Sequence, residues 1–335
     1  MCQKYEDSLQ YAQLLDNNDP LGHFRQRFYL KKGEIYMCGN SLGLASRDAE
    51  ESILEAIEKW KEDGVKIWTV DDGKYYLYSA HLSQLMAPII GADADEVAIT
   101  GSTTINIHQA ISTFYKPTKD KYKILVDDIN FPTDRYAVDG QLRLRGYDPK
   151  DAVKIVKSNG AFISEDDLPG LTGWFGNRNE TQFQLKQEFD HTQDAGGWQI
   201  GTPNIFSMAT LEGSLKIINE AGIKNIRNKS LNITGYLMYL VENKLVHYGF
   251  SIGNLREDSR RGGHVCLEHV EGYDISVILK SRGVACDFRP PNVIRLTPTA
   301  LYTSYAEVHD VVEILIDIMK TKEYKNNRAQ RNFVV

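Results

Sequence analysis

The chain has 335 residues, 42% hydrophobic and 25% charged, a balance that excludes a largely disordered chain and a disulfide-stapled miniprotein. Thirty-nine Lys and Arg against 45 Asp and Glu leave a net charge of −6, so no overall positive field exists to hold a nucleic-acid backbone. A small molecule or another protein is the expected partner. The four cysteines, Cys2, Cys38, Cys266 and Cys286, form no CxxC pair and read as reduced thiols of a cytoplasmic protein. Nowhere do 18 apolar residues run consecutively, and residues 1–19 are polar, so neither a membrane span nor a signal peptide is expected. At roughly 100–200 residues per domain, the length points to two domains.

In chain order, Ile35 to Cys38 reads as a short strand entering the turn Gly39-Asn40-Ser41-Leu42-Gly43. Ser46 offers a cap to a helix with Ile53, Leu54, Ile57 and Trp60 at apolar spacing. The aromatic stretch from Gly64 to Tyr78 is not resolved by periodicity. Glu96 to Thr100 reads as a buried strand, and Gly101-Ser102-Thr103-Thr104 leads from it into a helix, Ile105 to Tyr115. Lys123 to Val126 repeats the theme, with Phe131-Pro132-Thr133-Asp134 opening the next helix. Strands alternating with helices imply a parallel α/β sheet. At Ser164-Glu165-Asp166-Asp167 a strong helix start is followed at once by Leu168-Pro169-Gly170, which stops a helix before it makes two turns. Helices are then expected over Ile205 to Ala221, with Met208, Leu211, Leu215 and Ile218 on its apolar face, and over Ile226 to Leu245. The remainder reads as strand (Gly263 to Leu267), helix (Ile275 to Arg282), strands (Val284 to Phe288 and Val293 to Leu296) and a terminal helix (Ala306 to Met319), a compact α+β arrangement.

Several residues can carry chemistry. Thr103 and Thr104 stand where a strand hands over to a helix, a place where hydroxyls and backbone N–H groups either cap the helix or hold a phosphate. Phe131, Pro132, Thr133 and Asp134 mark an adjacent strand end, and open α/β sheets bind ligands at such ends. Arg295 lies in an apolar strand, where its guanidinium needs an anion, either a substrate carboxylate or an acid of the chain itself. His264 and Cys266 would point to one face of a strand and His269 to the other, which argues against a metal cluster. Trp174 and Trp198 read as core or interface aromatics rather than as ligand platforms. No Walker loop, GxGxxG, HExxH or GxSxG occurs.

Seven segments together resemble the kynureninase family. They are Tyr36 to Leu44, Thr103-Thr104-Ile105-Asn106, Asn130 to Asp134, Gly173-Trp174-Phe175-Gly176, Gly197 to Pro203, Thr234-Gly235-Tyr236-Leu237, and the run from Arg282 through Cys286-Asp287 to Arg295, all in family order. The resemblance implies a pyridoxal-phosphate-dependent transferase-like fold (fold type I), with residues 1–60 joining the small domain, 61–215 a truncated cofactor-binding domain, and 216–335 the small C-terminal domain. It implies a homodimer with a shared active site and a small amino-acid substrate. By the same resemblance, kynurenine, or its 3-hydroxy form, would be split with water into anthranilate, or its hydroxylated form, and alanine, a step of tryptophan catabolism and NAD biosynthesis. Thr103 and Thr104 would hold the phosphate of pyridoxal 5'-phosphate, and Phe131 would stack on its ring with Pro132, Thr133 and Asp134 beside it. Trp174 and Thr202 would reach the phosphate of the neighbouring subunit. Arg295 would take the substrate α-carboxylate, with Asn40 and Ser41 close by.

The sequence departs from the family in one place. Between Asp167 and Leu168 the family carries an aspartate for the pyridine nitrogen, a histidine, and the tyrosine-lysine pair that forms the Schiff base. None is present, and about three βα units of ~30 residues each would fill the gap. Tyr115-Lys116 and Tyr324-Lys325 repeat the dipeptide but lack the small-residue loop that follows the family's lysine. No catalytic lysine is therefore assigned, and an inactive or nearly inactive chain is expected, either a crippled enzyme or a dimerising or binding protein.

Overall fold

The computed structural model describes residues 5–127, 132–156, 178, 190, 192–199 and 201–326. Phe131, Trp174 and the Asp167-Leu168 junction lie outside the described residues. In chain order the elements are helix α1 (Leu9–Asn17), strand β1 (Ile35–Tyr36), helices α2 (Arg47–Asp63), α3 (Tyr78–Ile90) and α4 (Thr103–Phe114), then β2 (Ile124–Asp127), α5 (Pro132–Leu144), α6 (Pro149–Ala152) and β3 (Val153–Val156). There follow α7 (Ile205–Ala221), α8 (Ile223–Lys244), β4 (Ser251–Ile252), β5 (Val265–Glu268), α9 (Gly272–Ser281), β6 (Val284–Ala285), β7 (Asp287–Arg289), β8 (Val293–Leu296) and α10 (Tyr305–Thr321). The chain divides into two compact units, Met1–Leu54 with Gly213–Val335, and Glu55–Glu212.

The first unit is built on an antiparallel sheet of order β4-β5-β8-β7, with β1 pairing β6 in parallel. Strand alternation decides its two faces. Val265 and Leu267 of β5 and Ile294 and Leu296 of β8 are fully buried, against Ile233, Leu237 and Val241 of α8, Ile275 and Leu279 of α9, and Val308, Val312 and Leu315 of α10. The helical residues recur every three or four positions, the apolar stripe of a helix lying on a sheet. Each such side chain contributes about 1.5–3 kcal/mol on burial. Cys266 and Arg295, the intervening residues, are directly paired across β5 and β8 and occupy the other face.

In the second unit β2 and β3 run parallel, from Ile124 opposite Val153 to Asp127 opposite Val156, and α5 makes the crossover between them. Helix α4 packs on α5 through His108, Ser112 and Gln141, over a core of Val138, Leu142 and Ala152.

Three sequence expectations fail: the single strand Val284 to Phe288 is divided between β6, which pairs β1, and β7, which pairs β8, and two others fail as follows. Residues Val97 to Thr100 do not form a buried strand: they are half-buried and join no sheet among the described residues. Part of their polar backbone is met by helix α3, where the Ser79 hydroxyl donates to the Ile99 carbonyl and accepts from its N–H, both at 3.0 Å, and the Ser83 hydroxyl donates to the Val97 carbonyl at 2.6 Å. A backbone satisfied by side-chain hydroxyls needs no ladder. In α2, Leu54 and Trp60 are exposed, and the buried positions are the small residues Ser52 and Ala56. Ser46 does cap this helix, accepting from Ala49 N–H at 3.1 Å.

Candidate functional site

In the second unit, Gly101 turns the chain at a positive φ of 33°, and Ser102 caps α4 by accepting from the N–H of Ile105 at 3.4 Å, while its carbonyl takes the N–H of Asn106. A helix leaves its first N–H groups without intrahelical partners. Those of Thr103 and Thr104 have no hydrogen-bond partner among the described residues, Thr103 is exposed and Thr104 half-exposed. Two free N–H groups, two hydroxyls and the positive end of a 12-residue helix suit a phosphate. Pro132, Thr133 and Asp134 form the first turn of α5; Pro132 and Thr133 are exposed, and proline there costs nothing because that N–H has no intrahelical partner.

In the first unit, Arg295 already has an internal anion. It donates from Nε to Asp287 Oδ2 at 2.8 Å and from Nη2 to the same oxygen. Two residues beyond Arg295 on the same strand line, Thr297 donates its hydroxyl to Asn40 Oδ1 at 2.7 Å, and Cys38 is bridged to Thr297 in parallel. Asn40, 255 residues away in sequence, is thereby brought to the segment that carries Arg295, and Ser41 follows it, exposed. Gly39 lets the turn pack closely, because a Cβ would lie 2.8 Å from the Tyr302 hydroxyl and closer still to that of Thr299, and one of these side chains would have to move. Beside Arg295, burial and then the guanidinium pull the His264 imidazole below its usual value. Burial pushes the Cys266 and Cys38 thiols up, with Asp287 adding to the effect at Cys38. All three are uncharged near neutrality.

His269 has structural work: its Nδ1 accepts from Glu271 N–H at 3.0 Å, which leaves Nε2 to donate to the Tyr248 carbonyl at 3.1 Å. Thr202 is exposed, and the Trp198 carbonyl accepts from Gln109 at 2.7 Å.

Sequence reading missed two groups. One is Asp287, whose signal was available, a carboxylate within an otherwise apolar strand run. The other is a buried cluster around Glu212, which accepts from the Tyr78 hydroxyl at 2.5 Å and lies 3.2 Å from Lys74 and 3.5 Å from His81. Nothing local in the sequence links residues 134 positions apart.

Thr103 and Thr104 suit the phosphate end of pyridoxal phosphate, but neither Tyr-Lys dipeptide suits its aldehyde. Helix α4 ends at Phe114, about 16 Å along its axis from Thr103 at 1.5 Å per residue, and Lys116 lies beyond that far end. Lys325 belongs to a short turn after α10 in the other unit, beside the buried Tyr324.

Residues 226–315 match the family model for the kynureninase C-terminal domain. Kynureninase of Geobacillus thermodenitrificans (strain NG80-2) is 38% identical over 421 aligned positions, covering 98% of this chain and 98% of its own. That of Bacillus mycoides (strain KBAB4) is 37% identical over 422, covering 98% and 99%. The 421 positions exceed the 335 residues of this chain by 86, so at least that many positions of the Geobacillus protein have no counterpart here. Among solved structures, the cysteine desulfurase of Thermococcus onnurineus NA1 aligns with a TM-score of 0.64 at 12% identity, covering 89% of this chain and 98% of its own. CsdA of Escherichia coli gives 0.63 at 11%, covering 90% and 98%. At such identities these neighbours establish the fold, which is the pyridoxal-phosphate-dependent fold type I expected from the sequence. With identity of 37–38% along nearly its whole length, the chain belongs to the kynureninase family.

Proposed function

We propose that this chain is a pyridoxal-phosphate-dependent hydrolase of the kynureninase type, directed at L-kynurenine or 3-hydroxykynurenine, whose turnover is strongly reduced because its sequence lacks the Schiff-base lysine. The observation that carries the reading is the 38% identity to a kynureninase in an alignment that covers 98% of this chain and 98% of the relative. When bound, pyridoxal phosphate supplies an electron sink for cleaving the bond between the β-carbon and the aryl ketone. The free N–H groups and hydroxyls of Thr103 and Thr104 bind its phosphate, with Phe131, Pro132, Thr133 and Asp134 along its ring. Arg295 binds the amino-acid carboxylate, and Asn40 and Ser41 lie beside the substrate. The missing lysine equally favours a second reading, a family member that binds its ligands without turning them over.

The protein acts in this reading as a cytoplasmic homodimer, with Trp174 and Thr202 reaching the partner's cofactor phosphate. An exposed apolar patch supports it. Trp60 (57% exposed), Val65 (80%) and Phe206 surround an apolar pocket of about 410 Å³ that Pro203, the neighbour of Thr202, also lines.

The test is a titration of the full chain with pyridoxal phosphate, followed by an assay of L-kynurenine loss and anthranilate release beside the Geobacillus enzyme. Saturable binding that weakens about tenfold in Thr104→Val is expected. Turnover is expected to be lower by about 10²-fold or more, the contribution of a positioned acid–base group. Turnover at the relative's rate refutes the reduced activity, and absence of saturable cofactor binding refutes the whole reading. Sedimentation of the full chain at two concentrations tests the dimer.

A further inference from the structure

Arg295 stands in the middle of a polar row that crosses three strands, with Cys266 of β5 opposite it on one side and Asp287 of β7 on the other. Asp287 is fully buried. A carboxylate there is costly unless cations surround it. Two do so. Arg295 gives Oδ2 both Nε and Nη2, and Arg289 Nε lies 3.4 Å from the same oxygen. The other oxygen, Oδ1, is buried and accepts no hydrogen bond among the described residues.

The grip is one-sided. Asp287 consumes the Nε/Nη2 edge of the guanidinium, while Nη1 has no partner among the described residues and the side chain keeps 23% of its exposure. Two guanidiniums against one carboxylate leave a net charge of +1, which a bound carboxylate would balance through charge-assisted hydrogen bonds.

We propose that Asp287 is the positioning residue of the carboxylate site: it clamps one edge of Arg295 so that the Nη1 end is presented, already oriented, to the α-carboxylate of the amino acid, while Arg289 offsets the clamp's negative charge. The inference rests on the reading of Arg295 as the carboxylate site and adds how that site is built. A long, freely rotating arginine would have to be ordered by the ligand at the ligand's expense; one held by a buried aspartate is ordered beforehand.

The test compares, by calorimetry on the full chain with saturating pyridoxal phosphate, the affinities for L-kynurenine and for the amine left when its carboxylate is removed. The unaltered chain is expected to prefer the amino acid about tenfold or more, and Arg295→Gln to abolish the preference. Asp287→Asn is expected to reduce the preference to within about threefold while leaving the affinity for the amine unchanged, a carboxylate-specific loss that general damage would not produce. Arg295→Lys decides the matter should Asp287→Asn fail to fold. A single ammonium is taken by Asp287, so this variant too is expected to lose the preference. If the preference persists in Asp287→Asn or in Arg295→Lys, or if Asp287→Asn weakens both ligands equally, the positioning role is overturned and the carboxylate site stands. If the unaltered chain shows no preference, the carboxylate site and the positioning role fall together.

Discussion

Asp16 lays its two carboxylate oxygens on the backbone N–H groups of Tyr305 (2.7 Å) and Ala306 (2.9 Å), so that α1 closes the N-terminus of α10. Ser304 takes the next N–H, that of Glu307, at 3.1 Å, and the Glu307 carboxylate returns to Ser304 N–H at 2.9 Å. The start of α10 is thus fully satisfied, whereas the start of α4 keeps Thr103 and Thr104 free. One helix end is a structural joint and the other is open to a ligand.

Replacing Asp16 by Ala is expected to cost about 1–2 kcal/mol, the range of a lost helix cap, read as a lower urea midpoint. Asp16→Asn, which keeps one accepting oxygen, should retain more than half of the difference. Equal midpoints for Asp16→Ala and the unaltered chain would show that the joint contributes nothing.

The Glu212 cluster yields an ordering. Glu212 is 97% buried, and burial together with the Glu212 hydrogen bond pushes the Tyr78 phenol far up, so it stays a donor. Glu212→Leu leaves the buried Tyr78 hydroxyl without its acceptor and Lys74 with only the more distant Glu55, at 3.8 Å, and should cost about 3–5 kcal/mol. Tyr78→Phe removes one hydrogen bond to a charged acceptor that keeps Lys74, and should cost about 1.5–3 kcal/mol. Denaturation midpoints in the reverse order would contradict this account.

Gly213 of α7 packs on the first turn of α2 so closely that an added Cβ would lie 2.5 Å from Ala49 N and closer still to the Asp48 carbonyl. Gly213→Ala should destabilise by about 1–3 kcal/mol through overpacking against backbone that cannot yield. Gly262→Ala, with open space around it, should stay within about 0.5 kcal/mol. Thermal unfolding of the two variants side by side checks the contrast.

Arg27 binds Asp48 through Nε at 3.0 Å and through Nη2, and this hydrogen bonding holds the Asp48 carboxyl below its ordinary value. A depressed carboxyl binds its proton less readily folded than unfolded. Its stabilisation is therefore fully present above the unfolded value near 4 and disappears as pH falls through the lower folded value. Asp48→Asn should lower stability at pH 7 and flatten its decline as pH falls below about 4, so that the curves of variant and unaltered chain converge at the acid end. Parallel curves over that window would exclude the linkage.

Much of the fold was legible in the residues because its determinants are local. The segment Val293 to Leu296 alternates as a strand must, Ile205 to Ala221 repeats as a helix must, and both occupy those spans. Val97 to Thr100 shows the limit. Its composition is that of a strand, but a strand also needs neighbours, and here Ser79 and Ser83 supply the hydrogen bonds instead. Trp60 shows another, since helical spacing names a face without saying what that face will meet.

By itself the sequence determined the family and most of the helices and strands, and it named Thr103, Thr104 and Arg295 as candidates for a phosphate and a carboxylate, because composition, period and capping act over a few neighbouring positions. Only the tertiary structure decided that Arg295 leans on Asp287, that Thr297 fetches Asn40 across 257 residues, and that Glu212 gathers Tyr78, Lys74 and His81. Those pairings depend on strand register and helix approach, which distant parts of the chain settle together.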